Sequence, residues 1–417
     1  MSTQQSEHHS RIEELRVYLR DQGYNATVRR HYLPIARRFL MYLDDHNRSI
    51  ETALPADLDG FVCREQRAYR KRNGRAPRRI LEWRRHHASP PRLLLRLVHG
   101  RWPRELPPVT QREVFHREVL QGYEWWMSEL RGLATVTREE HIAGARELLD
   151  GIGERSDPEL LENLGVRDVD AYIAERMEGL RRKSIKTLTS SLRVFLRYLH
   201  GTRRTARDLS LSVTSPVLYA YEGIPSALQP EDVRNVLAVT RQDRTNAGRR
   251  DYAILMLLAT YGLRAGEITT LRLDDIDWRK DVLHVRHSKT GARSTLPLLP
   301  QPGEALLAYL RDARPQTALR EVFLCLKAPL RPFRDGSALY STIRDRLTRA
   351  GVSRAGKKGP HAFRHARAVS LLRAAVPLKA IGDILGHRSA LSTGAYLKLA
   401  TEDLRAVALD IPTAVSP

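Results

Sequence analysis

Seven polar residues in the C-terminal half of this 417-residue chain carry side chains able to do chemistry: Arg264, Lys289, His361, Arg364, His365, His387 and Tyr396. Arginine and lysine bring positive charge, histidine moves protons near neutral pH or ligates a metal, and tyrosine offers a phenol oxygen. Singly, each has a plain structural explanation. Arg264 stands three residues before Glu267, the spacing of an intrahelical ion pair. His361 and Arg364, in His361-Ala-Phe-Arg-His365, share a helical face. His361 and His365 also stand at i and i+4, as zinc-binding pairs do, but Ala362 replaces the glutamate that zinc hydrolases place after the first histidine. No thiolate or carboxylate cluster lies nearby in sequence to complete a ligand set, so no metal is expected. His387, after Leu385-Gly386, suits a cap or a core position, and Gly386 fits a tight approach. Tyr396 sits in an amphipathic segment, where packing is the common role.

Such residues need elements to position them. Residues 251–263 read as a buried helix ending just before Arg264. Residues 282–287 and 294–298 alternate like strands, with residues 289–292 between them as a turn, which sets Lys289 at a hairpin tip. Helices resume from Gly303. Upstream, residues 11–110 and 120–205 look like two copies of one helical unit. Residues 31–41 and 141–149 are amphipathic segments that follow Thr27 and Thr137, and Leu95-Arg-Leu-Val-His-Gly100 parallels Leu196-Arg-Tyr-Leu-His-Gly201. Apolar residues in both copies recur at helical spacing. The fold class expected is mainly α with a small antiparallel β-sheet. The domains expected are a helical, Arg-rich module at 11–110, a helical module at 120–215 and a C-terminal domain at 222–417 with a tail helix.

Seventy Lys and Arg against 48 Asp and Glu leave a formal charge of +22, which favours a polyanionic partner, nucleic acid before an anionic membrane surface. Hydrophobic residues are 42 %, enough for cores. The longest apolar run, residues 252–263, falls short of the ~20 residues of a membrane helix. The first ten residues lack the apolar stretch of a signal peptide. Cys63 and Cys325 cannot make a disulfide framework, so a cytoplasmic protein with no membrane partner is expected. Residues 64–104 are the most basic stretch, and read as a helix with one apolar and one Arg-rich side. Candidate DNA contacts are Arg70, Lys71, Arg72, Arg78, Arg79, Arg84 and Arg85 there, with Arg182, Lys183 and Lys186 in the second module. The apolar residues 93–95 suit a protomer interface as the rival role for this module.

Taken together, the C-terminal residues appear in a fixed order that resembles the tyrosine recombinase (phage integrase) family. The stretches that carry the likeness are Tyr261-Gly-Leu-Arg-Ala-Gly-Glu267, Ser288-Lys-Thr-Gly291, His361-Ala-Phe-Arg-His365, Leu385-Gly-His387 and Tyr396. The resemblance to the catalytic domain covers residues 224–399, and residues 120–205 are similar, more loosely, to the family's core-binding domain. Two departures stand out: Tyr261, where a Thr is common, and Tyr396-Leu-Lys398 in place of Tyr-Thr-His.

The resemblance implies a DNA strand-exchange enzyme working through a 3′-phosphotyrosyl link, with no cofactor. Tyr396 would be the nucleophile, which conserves the bond energy in a covalent intermediate. Arg264 and Arg364 would take the charge on the non-bridging phosphate oxygens, and His387 would add a donor. His361 would accept the tyrosine proton, and Lys289 would protonate the departing 5′-oxygen. Glu267 and His365 would support these side chains. Implied partners are double-stranded DNA with inverted-repeat core sites and a homo-tetramer on that DNA, possibly with related recombinases, serving to integrate, excise or transpose a mobile element. The rivals are a catalytically silent accessory protein of the same fold and a type IB topoisomerase.

Overall fold

The computed structural model describes residues 3–103, 107–218, 228–287, 291–352 and 359–386. The chain groups into two compact units, Met1–Pro103 with Gly223–Pro417, and Arg104–Glu222.

The first unit begins with four helices, α1 (Thr3–Asp21), α2 (Ala26–Asp44), α3 (Pro55–Asn73) and α4 (Ile80–His99). They enclose Leu15, Leu19, Phe39, Leu40, Phe61, Leu94 and Leu95, all essentially inaccessible. The basic stretch at residues 64–104 is therefore not one helix, a correction to the sequence reading. Gly74, at φ +66°, caps α3, and α4 starts six residues later, because a left-handed residue ends the helical ladder and Pro77 lacks an N–H with which to resume it. Leu94 and Leu95 pack inward, so they do not form an exposed interface; each contributes about 1.5–3 kcal/mol of burial. The turn after α1 meets the rest of the unit where the Leu330 N–H donates to Gln22 O at 3.2 Å.

The second unit holds α5 (Gln111–Trp125), a π-helical turn, α6 (Thr135–Gly151), α7 (Val166–Met177) and α8 (Arg182–Gly201). Thr110 and Glu113 form a reciprocal cap that starts α5. The core gathers Val119, Tyr123, Leu148, Val169, Phe195 and Leu199. The paired segments 31–41 and 141–149 lie in α2 and α6, and residues 95–100 and 196–201 close α4 and α8.

The C-terminal part of the first unit is built on α9 (Pro230–Gln242) and α10 (Asn246–Tyr261). From Tyr252 onward helix α10 is apolar nearly all round, with Ala253 to Leu258 buried without a break, so this part runs through the core rather than over it. Thr245 caps its start, accepting the Gly248 N–H at 3.0 Å, and Gly262 at φ +66° ends it. Then come α11 (Ala265–Thr269) and an antiparallel sheet of β1 (Ile276–Asp277), β2 (Val282–Arg286) and β3 (Arg293–Pro297), in that order. The β2–β3 register pairs Leu283 with Leu296 and Val285 with Ser294, turning Leu283 and Val285 inward. Tyr261 ties α10 to this hairpin: its hydroxyl donates to Pro297 O at 2.8 Å and accepts the Leu299 N–H at 2.9 Å. Tyr261 thus has a job of its own where the family commonly has Thr.

After α12 (Pro300–Asp312) a two-stranded ladder, β4 (Leu324–Cys325) with β5 (Arg331–Pro332), was not foreseen from sequence, since two-residue strands leave no periodicity to read. The last helices are α13 (Ala338–Arg349), α14 (Pro360–Arg373) and α15 (Leu378–Leu385). A buried ion network clamps α13 to α10. Arg346, 5 % exposed, donates to Asp251 Oδ2 at 2.8 and 2.7 Å and to Asp243 Oδ2 at 2.6 Å.

Candidate active site

Arg264 is the residue before α11, held in extended conformation by the end of α10 behind it. Its backbone N–H donates to Glu267 Oε2 at 2.7 Å, and its Nη1 to Glu267 Oε1 at 2.7 Å. The ion pair read from the spacing exists, but the same guanidinium also donates from Nη2 to Gly386 O at 2.9 Å, at the end of α15. Arg364 projects from α14 and is 4 % exposed. Its Nη1 donates to Gly262 O at 2.8 Å and its Nη2 to Leu385 O. The two arginines therefore converge on adjacent carbonyls of one helix end.

Glu267 is buried, with 1 % of its side chain exposed. Burial alone would raise its pKa; hydrogen bonds from His287 and from the backbone and guanidinium of Arg264 outweigh that and hold it below the ordinary glutamate value. Glu267 is thus an anion that orients Arg264 without leaving the site. His287 was missed as a site residue in the sequence. Its Nδ1 lies 2.7 Å from Glu267 Oε1 and its Nε2 2.7 Å from Ser294 Oγ. A signal for it existed: Leu283, Val285 and His287 alternate inward, and a histidine on the core side of a strand needs partners.

His361 is exposed at the start of α14, on the turn before Arg364, and its ring stands 6.2 Å from that of His365. Lys289, His387 and Tyr396 lie outside the described residues. Along the chain Lys289 comes two residues after His287, His387 directly after Gly386, and Tyr396 ten after Gly386. Among the described residues no group of three or more His, Cys, Asp and Glu could hold a metal ion, and no helix is long and apolar enough to cross a membrane.

Residues 226–403 match the model of the phage integrase family. An integrase/recombinase of Sinorhizobium fredii, y4gC, is 58 % identical over 45 % of this chain and 97 % of its own length. A second from the same organism, y4rA, is 38 % identical over 70 % of each chain. The chain belongs to the phage integrase family.

As a member of that family the protein is a site-specific tyrosine recombinase. Its fold is also similar to that of a solved lambda integrase tetramer bound to a Holliday junction, at TM-score 0.51 and 18 % identity, over 66 % of this chain and 77 % of that one. Of the recombinase's candidate DNA contacts, Arg70, Lys71 and Arg72 are exposed at the end of α3, and Arg78, Arg79 and Arg85 are exposed before and on α4. Arg84 differs: it is half-buried and donates to Gln66 Oε1 at 3.0 Å, which turns its charge toward α3. In the second unit Arg182, Lys183 and Lys186 are exposed on the first two turns of α8, where Arg182 also donates to Val217 O at 3.1 Å.

Proposed function

We propose that this recombinase cuts and rejoins DNA with Tyr396 as nucleophile and Arg264 and Arg364 as the phosphate clamp. The observation that carries the reading is the convergence of these two guanidiniums on Leu385 O and Gly386 O, one residue before His387. Arg264 is oriented by Glu267 as well as by Gly386 O, and Arg364 by Gly262 O and Leu385 O, so two fixed guanidiniums stand at one helix end to meet a phosphate. In the reaction the Tyr396 oxygen bonds to phosphorus as the bond from phosphorus to the 5′-oxygen breaks. His361 takes the phenol proton, Lys289 supplies a proton to the 5′-oxygen, and Arg264, Arg364 and His387 stabilise the non-bridging oxygens. A 5′-hydroxyl from a partner strand reverses the step and releases the tyrosine, so no external energy source is consumed.

The DNA is double-stranded with inverted-repeat core sites, bound by a homo-tetramer, and the biological task is to integrate, excise or transpose a mobile element. Residues 120–215 serve as the core-binding module and residues 222–417 as the catalytic domain. Residues 11–110 form a further DNA-contacting module, supported by the exposed basic side chains around the α3–α4 turn.

The test uses nicked suicide duplexes built on sequences flanking the gene and screened with the wild-type protein on denaturing gels. Wild type is expected to form a covalent protein–DNA band and Tyr396→Phe to bind the same DNA without one. A covalent band from the Phe variant would move the nucleophile elsewhere, with Tyr340, 43 % exposed on α13, the first alternative.

A further inference from the structure

His287 has no role in the steps above, yet its ring touches three segments that carry them. It is 3 % exposed and lies between Glu267 of α11 and Ser294 of β3. Its face lies against Gly386: a Cβ on that glycine would stand 2.6 Å from His287 Cε1 and 2.8 Å from its Nε2. Gly386 in turn accepts the Arg264 hydrogen bond, and Glu267 Oε1 accepts from both Arg264 Nη1 and His287 Nδ1. The four residues close a ring of contacts: His287 to Glu267, Glu267 to Arg264, Arg264 to Gly386, and Gly386 back onto His287.

The chemistry of that ring is directional. An ionised carboxylate only accepts, so His287 Nδ1 carries a proton and donates it to Oε1. Ser294 meets the opposite nitrogen and fixes the ring's plane. With both His287 and Arg264 on one oxygen, the Glu267 carboxylate has one orientation, and Arg264 inherits it. An apolar residue of similar size would fill the space but leave Oε1 short of a donor and the carboxylate free to turn.

We propose that His287 is a positioning residue for Arg264, holding the guanidinium through Glu267 and Gly386 in the attitude that receives the scissile phosphate. The proposal rests on the reading that Arg264 binds that phosphate. It predicts a defect of one kind: loss of charge stabilisation on the non-bridging oxygens, with the nucleophile and the leaving group untouched.

The test compares two suicide duplexes, one with an ordinary scissile phosphate and one with methyl in place of a non-bridging oxygen. The methyl substrate is neutral there and has less need of a guanidinium, so the defect of Arg264→Ala should shrink on it. His287→Ala is expected to slow adduct formation about 10- to 100-fold on the ordinary substrate with DNA binding unchanged, and to recover on the methyl substrate as Arg264→Ala does. His287→Asn, which keeps a donor near the Nδ1 position, should regain part of the rate on the ordinary substrate. Thermal denaturation checks folding; should the Ala variant not fold, His287→Asn and Ser294→Ala carry the comparison, the latter with a smaller defect of the same signature. Equal impairment on both substrates, while Arg264→Ala recovers, would overturn the positioning role and leave the proposed function standing. Wild-type rates from Arg264→Ala on the ordinary substrate would instead sink the proposed function.

Discussion

Arg264 and Arg364, one hundred positions apart in sequence, donate to consecutive carbonyls, Gly386 O and Leu385 O, at the end of α15. Three elements, the turn after α10, helix α14 and helix α15, thereby meet at a single backbone feature. Anything that shifts α15 shifts both cations together.

The Arg364 side chain is expected to tolerate no cation substitute. Its two Nη groups serve Gly262 O and Leu385 O, and a lysine ammonium cannot span both while meeting a phosphate. Arg364→Lys should lower the single-turnover cleavage rate about 10²–10³-fold with DNA affinity nearly unchanged. It should also lose about 1–3 kcal/mol of stability in a denaturant titration, because one of the two buried carbonyls is left without a donor. Cleavage within a few-fold of wild type would remove Arg364 from the phosphate clamp.

Lys289 makes a contrasting prediction. As the acid for the 5′-oxygen, it should become dispensable when sulfur replaces that oxygen, since a thiolate leaves without a proton. Lys289→Ala should be slow on ordinary DNA and close to wild type on the 5′-thio substrate, whereas the arginine variants stay defective on both. Equal defects for Lys289→Ala would reduce it to a DNA-binding side chain.

Acid stability should report the α9–α10 corner. The Thr245 hydroxyl hydrogen bond, opposed by burial and helped by Arg346, lowers the Asp243 pKa from 3.8 to about 2. A carboxylate depressed on folding adds stability that is fully present above the unfolded value and is lost as pH falls through the folded one. Urea midpoints should therefore show Asp243→Asn less stable than wild type at neutral pH, with the gap closing between about pH 4 and pH 2. A gap that stays constant down to pH 2 would mean that the charge on Asp243 contributes nothing.

Deleting residues 1–110 separates two roles for the first helical module. If the module binds DNA, its removal should shorten the footprint of each protomer and flatten the salt dependence of binding, by about 0.9 in log–log slope for each phosphate no longer neutralised. If it joins protomers, its removal should leave both unchanged while assembly on DNA fails. Leu94 and Leu95 are already spent in the core of α1–α4, which removes the apolar patch the interface role would have used. Footprinting both proteins across a salt series decides between them.

The order of the chemical residues, the buried helix α10 and the β2–β3 hairpin were legible in the chain, because helical and strand periodicities and the Gly-rich ends are local properties. The Arg264–Glu267 pair was legible for the same reason, being three residues apart on one helix start. Residues 64–104 read as one helix from composition yet form the end of α3 and all of α4, because a basic composition says little about where a backbone turns and the turn is made at Gly74. Only the tertiary structure could bring Arg364 to Gly262 and Leu385, or set His287 between Glu267, Ser294 and Gly386. Those contacts join groups distant along the chain, and local spacing does not encode them. The sequence determined which side chains are available for chemistry. The packing of α10, α14 and α15 decided which of them meet at one helix end, because buried guanidiniums must find acceptors and the nearest are the carbonyls of Gly262, Leu385 and Gly386.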